Sequence, residues 1–206
     1  MLESKQIILR PWCDADLDFF GQLRNDVETQ LTLLAQPKPN SKNRVRQWLE
    51  DRSNAADGLF FVISSKPDHQ PVGFIELRDI HPTHGWGHLG ICLDRSVRGR
   101  GIGVEALELM ESYAGRVLML RKIVLIVAAK NSVARRLYDF AGYTTVGIHR
   151  AHYHIGGDWL DAVVMEKSLG TDESSDDSAM STTPNGRPAE SEVASGQPLH
   201  RIITTQ

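Results

Sequence analysis

The chain has 206 residues, 41% hydrophobic and 24% charged, with a formal net charge of −3. This length suits one domain with a sizeable core, and no apolar run approaches a membrane span, so no membrane partner is expected. Residues 170–206 hold six acids and two bases, which leaves the first 169 residues with 20 acids and 21 bases; so even a balance offers no basic face for phosphates, and no nucleic-acid partner is expected.

Residues 1–6 lack a basic n-region and are followed by only a short apolar segment, residues 7–9. No signal peptide is expected, and cytoplasmic residence is the expectation. Cys13 and Cys92 stand far apart without CxxC or Cys/His spacing, so neither a disulfide framework nor a zinc site is indicated, and both are read as reduced, buried thiols.

Strand-like and helix-like runs alternate along residues 1–169. Residues 7–10 read as a strand that Pro11 stops, and residues 14–23 as a helix with Leu17, Phe20 and Leu23 on its apolar face. A second helix covers residues 41–54, with Val45, Trp48 and Leu49 inward. Residues 59–64, 71–77 and 88–93 form an antiparallel meander, its turns marked by Pro67-Asp68 and by residues 81–85.

After a glycine-rich loop, Val104, Leu107, Met110, Ala114 and Val117 recur at helical spacing. The continuous apolar run 123–129 then predicts a strand buried on both faces. Residues 132–140 read as a short helix capped by Asn131 or Ser132, with Gly142 just past its end. Strands 144–154 and 159–166, joined at Gly156-Gly157, complete an α/β domain of about seven strands and four helices. From Gly170 onward, Ser, Asp, Glu, Pro and Gly dominate without an aromatic residue, so residues 170–206 are expected to form a disordered tail.

The chemistry concentrates in Arg98-Gly99-Arg100-Gly101-Ile102-Gly103, between a predicted strand and a predicted helix. Glycines let backbone N–H groups approach an anion, and the helix N-terminus adds positive potential. A P-loop would need Gly-Lys-Ser/Thr at the helix start, and a dinucleotide loop would need GxGxxG with an acid about 20 residues later. Neither pattern is met.

Arg98-x-x-Gly101-x-Gly103 does resemble the coenzyme A pyrophosphate signature of the GNAT (Gcn5-related) N-acetyltransferases. The order of elements extends the resemblance to residues 7–168: Asn131 to Tyr138 is similar to the family's second conserved element, and Phe140-Ala141-Gly142-Tyr143 to the segment after it. Leu9-Arg10-Pro11-Trp12, Arg24-Asn25-Asp26 and Gly157-Asp158-Trp159 resemble the branch of ribosomal-protein-alanine and spermidine N-acetyltransferases. The fold implied is the GNAT fold, a mixed, mostly antiparallel twisted sheet flanked by helices.

That resemblance implies acetyl-CoA as co-substrate and transfer of its acetyl group to the primary amine of a small molecule, such as a polyamine or amino sugar, in a ternary complex. Tyr138 matches the tyrosine that serves the leaving thiolate as general acid. His88 stands where the family often carries a glutamate base, and Glu76, or Asp79 through water, is the next candidate. Backbone groups of Ile91, Cys92 and Leu93 would meet the thioester and pantetheine. Arg98, Gly99, Arg100, Gly101, Ile102, Gly103 and Val104 would meet the pyrophosphate, and Asn131 with Arg135 or Arg136 the rest of the coenzyme.

Glu28, Asp51, Glu76 and Asp79 are candidates for attracting a cationic amine. His149, His152 and His154 near alternate strand positions invite a metal reading, but without nearby cysteine or carboxylate ligands a polar, substrate-facing strand is expected and no metal. The four tryptophans read as core or rim aromatics. Two alternatives stay open: a protein N-terminal acetyltransferase, and a non-catalytic acyl-CoA-binding sensor. A homodimer is equally open.

Overall fold

The structure is a computed structural model that describes residues 1–170. The expected tail therefore lies, apart from Gly170, outside the described residues. In chain order the elements are β1 (Leu2–Glu3), β2 (Ile7–Arg10), α1 (Leu17–Asn25), α2 (Val27–Thr32), α3 (Lys42–Ser53), β3 (Leu59–Ser65), β4 (Pro71–His81) and β5 (Trp86–Leu93). They continue with α4 (Ile102–Arg116), β6 (Lys122–Ala128), α5 (Ser132–Phe140), β7 (Thr144–Ile155) and β8 (Asp158–Ser168).

One eight-stranded sheet runs in the order β1-β2-β3-β4-β5-β6-β8-β7. Every neighbouring pair is antiparallel except β5 and β6. The mixed, mostly antiparallel α/β architecture follows the expectation. It adds the two-residue β1, too short to carry a period, and α2, whose six residues offer no repeating apolar stripe. What starts α2 is a cap: the Asp26 carboxylate accepts the Thr29 N–H at 2.6 Å.

Strand alternation sends side chains to two cores. Phe60, Val62, Phe74 and Cys92 pack against Leu17, Phe20 and Leu23 of α1 and Val45 and Leu49 of α3. On the opposite face Leu9, Ile63, Ile75, Leu107, Met110, Ile123 and Leu125 pack together, joining the sheet to α4. Arg10 at the end of β2 grips Asp16, which is only 1% exposed, through both terminal nitrogens at 2.8 Å. This bidentate pair pins the entry of α1 to the sheet. Cys92 is buried as expected, whereas Cys13 is exposed, since it sits at the turn into α1 and not on a packed face.

β6 departs from its expected burial on both faces. Ile126 is 37% exposed because the sheet opens beside it. No helix among the described residues is long and apolar enough to cross a membrane.

Candidate active site

β5 pairs with β6 only through Trp86, Gly87 and His88, set against Lys122, Ile123 and Val124. Beyond His88, β5 stays on β4 as far as Leu93 while β6 follows β8 to Ala128. The two parallel neighbours thus part, and backbone groups of residues 89–93 that would have bonded β6 face a gap. A cleft of about 840 Å³ passes through this gap, lined by residues from both faces of the sheet.

At one end of the cleft lies the glycine turn. Gly99 and Gly101 adopt φ of +75° and +83°, and Gly101 caps α4 in a left-handed conformation. An added Cβ at Gly101 would meet nothing nearer than Gln6 Nε2 at 3.8 Å, so the demand for glycine is conformational and not steric. The Val104 and Glu105 amides donate to the Gly101 carbonyl at 3.0 and 3.2 Å, while those of Ile102 and Gly103, at the very start of α4, have no backbone acceptor and are positioned to meet an anion. Glu105 in that turn accepts hydrogen bonds from the Gln6 amide and the Ser4 hydroxyl, which anchors the start of α4 to the N-terminal strands.

α5 forms the opposite wall. Asn131 caps it by accepting the Ala134 N–H at 3.1 Å, and Asn131, Ala134, Leu137 and Tyr138 line the cleft. Tyr138 is 6% exposed, and its ring meets Tyr143 edge-on at 5.7 Å. Burial, reinforced by neighbouring Cys92, raises the phenol's pKa, so the hydroxyl keeps its proton as a donor. Burial likewise pushes the Cys92 thiol up to about 12, which leaves it a poor nucleophile.

On the other face of the sheet, Glu76 of β4 lies opposite Gly90 of β5. A Cβ at Gly90 would sit 3.1 Å from the Glu76 carboxylate oxygen, so the absent side chain lets the carboxylate fold over the middle of β5, where the strands part. Glu76 is 7% exposed; burial raises its pKa against the lowering influence of Arg52, Arg78 and Arg24. Arg52 stands 3.8 Å and Arg78 3.2 Å from its oxygens, and the Arg24 guanidinium lies 4.3 Å over the Trp48 ring.

The Acetyltransferase (GNAT) domain family matches residues 6–144. This chain belongs to that family. As a GNAT enzyme it is an acyl-CoA-dependent N-acetyltransferase that uses acetyl-CoA as co-substrate. It is 27% identical over 173 residues to the Probable N-acetyltransferase YjcK of Bacillus subtilis, covering 80% of this chain and 95% of that protein. It is 23% identical to the spermidine N(1)-acetyltransferase of Vibrio cholerae, covering 77% of this chain and 90% of that one. A crystal structure of a Vibrio cholerae spermidine N-acetyltransferase with CoA and spermine superposes with a TM-score of 0.74 at 23% identity, covering 81% of this chain and 97% of that one.

The glycine turn, the parted strands and the Ile102 and Gly103 amides fit the diphosphate and pantetheine of acetyl-CoA. Of the residues predicted from sequence, Glu76, Ile91, Cys92, Leu93, Arg98, Gly99, Gly101, Gly103, Val104, Asn131 and Tyr138 of this GNAT domain line the cleft. His88 does not: it pairs with Asp79 at 3.3 Å, one side-chain step toward the zipped end of β5, and burial lowers its pKa against Asp79. Arg100 is exposed, Ile102 is buried in the core, and Arg135 turns back to the Ala129 carbonyl at 3.4 Å while Arg136 takes the place in the wall. Arg98 lines the cleft with Nε and one terminal nitrogen both on the Leu93 carbonyl, at 3.0 and 2.9 Å, so it braces the turn as well.

Among the expected acids only Glu76 reaches the cleft. Glu28 pairs with Arg95, and Asp51 accepts from Gln47. His149 stacks on His152 at 4.8 Å, and among the described residues no group of three His, Cys, Asp or Glu side chains is placed to hold a metal. Sequence reasoning missed Arg52 and Arg78 and read Trp48 as a core or rim aromatic. The signal was present: Val45, Trp48, Leu49 and Arg52 share one helical stripe, and Phe74, Glu76 and Arg78 one strand face.

Replacing Gly101 by Ala forces a Cβ into the left-handed region at about 1–2 kcal/mol, and the turn relaxes away from its anion-binding shape. Affinity for acetyl-CoA, read by calorimetry, is expected to fall about tenfold.

Proposed function

We propose that this enzyme transfers the acetyl group of acetyl-CoA to the primary amine of a small molecule by direct attack in a ternary complex. The observation that carries this reading is the single cleft joining the glycine turn and Tyr138 on one face to Glu76 on the other, through the gap between β5 and β6. Acetyl-CoA supplies an activated acyl group held by a thioester.

Glu76, half-surrounded by cations yet desolvated, accepts the proton that the attacking ammonium must lose, directly or through water. Main-chain amides of residues 89–93 steady the charge that develops on the carbonyl oxygen. As the C–N bond forms and the C–S bond breaks, Tyr138 delivers its phenolic proton to the departing sulfur, and the second proton that the nitrogen sheds on becoming an amide restores the phenol through solvent. The high pKa of Cys92 argues against a covalent acetyl-cysteine route, which favours direct transfer.

The acceptor classes in view are polyamines, suggested by the Vibrio cholerae relatives, and amino sugars. Release of free thiol from acetyl-CoA across a panel of amines tests the reading. Acetyl-CoA binding without thiol release on any acceptor would instead favour an acyl-CoA sensor.

A further inference from the structure

We propose that the acceptor is a primary amine carrying an anionic group, a carboxylate or phosphate, which docks against Arg24, Arg52 and Arg78 while the amine meets Glu76. The inference rests on the transferase reading and specifies its acceptor. Three guanidiniums line this end of the cleft, and Glu76 is the one carboxylate among the described lining residues. Even with Glu76 ionised, an excess of two positive charges faces the acceptor.

Arg78 is exposed and Arg52 partly so, whereas Arg24 is withdrawn from solvent. Arg24 stacks on Trp48, which packs on Phe74 at 5.6 Å, and its Nε is buried without a hydrogen-bond partner. Burial and the neighbouring charges of Arg52 and Arg44 weaken its hold on its proton. Mutually repelling guanidiniums beside one carboxylate, one of them desolvated, gain from a second anion, and their planar forks match carboxylate and phosphate oxygens. A polyamine brings the opposite sign: beyond the one ammonium that Glu76 can face, each further ammonium would enter a cationic, partly dehydrated pocket. Such a repulsive element discriminates as strongly as any attractive contact.

The geometry also orders the substrate. Glu76 lies over Gly90 where the strands part, whereas Arg24 and Arg52 project from α1 and α3 farther along the same face. The nitrogen therefore comes to the strand gap and the anion to the helices.

Calorimetry on the coenzyme A-saturated protein, with γ-aminobutyrate, O-phosphoethanolamine, n-butylamine and putrescine as probes, tests this without requiring turnover; thiol release is measured in parallel. The anionic amines are expected to bind at least about tenfold more tightly than putrescine, and Arg52→Gln, on a half-exposed side chain, to erase most of that preference with coenzyme A affinity unchanged. Whichever anionic probe binds more tightly identifies the carboxylate or the phosphate. Putrescine binding as tightly as the anionic probes would overturn the proposal, as would a preference that survives both Arg52→Gln and Arg78→Gln. Anionic binding without thiol release from any amine would leave this inference standing and count against the transferase reading.

Discussion

Glu76→Gln is expected to lower kcat by about a hundredfold to ten-thousandfold, with acetyl-CoA affinity unchanged, the range typical for removing a positioned general base. Glutamine keeps the shape over Gly90 but cannot take a proton. A pH profile provides the sign. The base works only when ionised, and burial raises its pKa, so the acid limb of kcat/KM should lie above the ordinary carboxylate value of about 4.3. Arg52 favours the carboxylate form, so its removal should move that limb to still higher pH. His88→Gln should leave the limb in place, because His88 is tied to Asp79 and stands outside the cleft. A profile of Glu76→Gln with full activity and the same limb would transfer the role to another group.

Tyr138→Phe is expected to reduce kcat by about a hundredfold while acetyl-CoA affinity changes little. Phenylalanine retains the ring that packs edge-on with Tyr143, so the melting temperature should move by only a few degrees at most. That contrast separates a proton donor from a packing residue: a structural role would show in thermal stability, a chemical one only in turnover. Because burial holds the phenol protonated, Tyr138 should not produce a basic limb near neutrality. Turnover equal to that of the native enzyme in Tyr138→Phe would remove this residue as the acid.

The acceptor end governs what the enzyme discriminates. Likeness at 23% identity carries the fold from the Vibrio cholerae structure, while the side chains at this end of the cleft belong to this chain. Under the proposed acceptor reading, three guanidiniums against one carboxylate make charge the principal filter for the amine.

Local patterning alone determined the alternation of strands and helices, the meander of residues 59–93 and the glycine turn. Periods of two and 3.6, helix caps and positive-φ glycines are short-range properties, and each is written within a few consecutive residues. The tertiary structure decided what long-range pairing controls. Where β5 leaves β6 depends on β6 pairing with β8, some forty residues later, and that parting puts Glu76 in the cleft and leaves His88 outside it by opening the cleft one side-chain step beyond the histidine. Arg24 from α1, Arg52 from α3 and Arg78 from β4 meet only because two helices pack on one sheet face. In sequence each is an ordinary arginine; convergence around a single carboxylate makes them the proposed anion site.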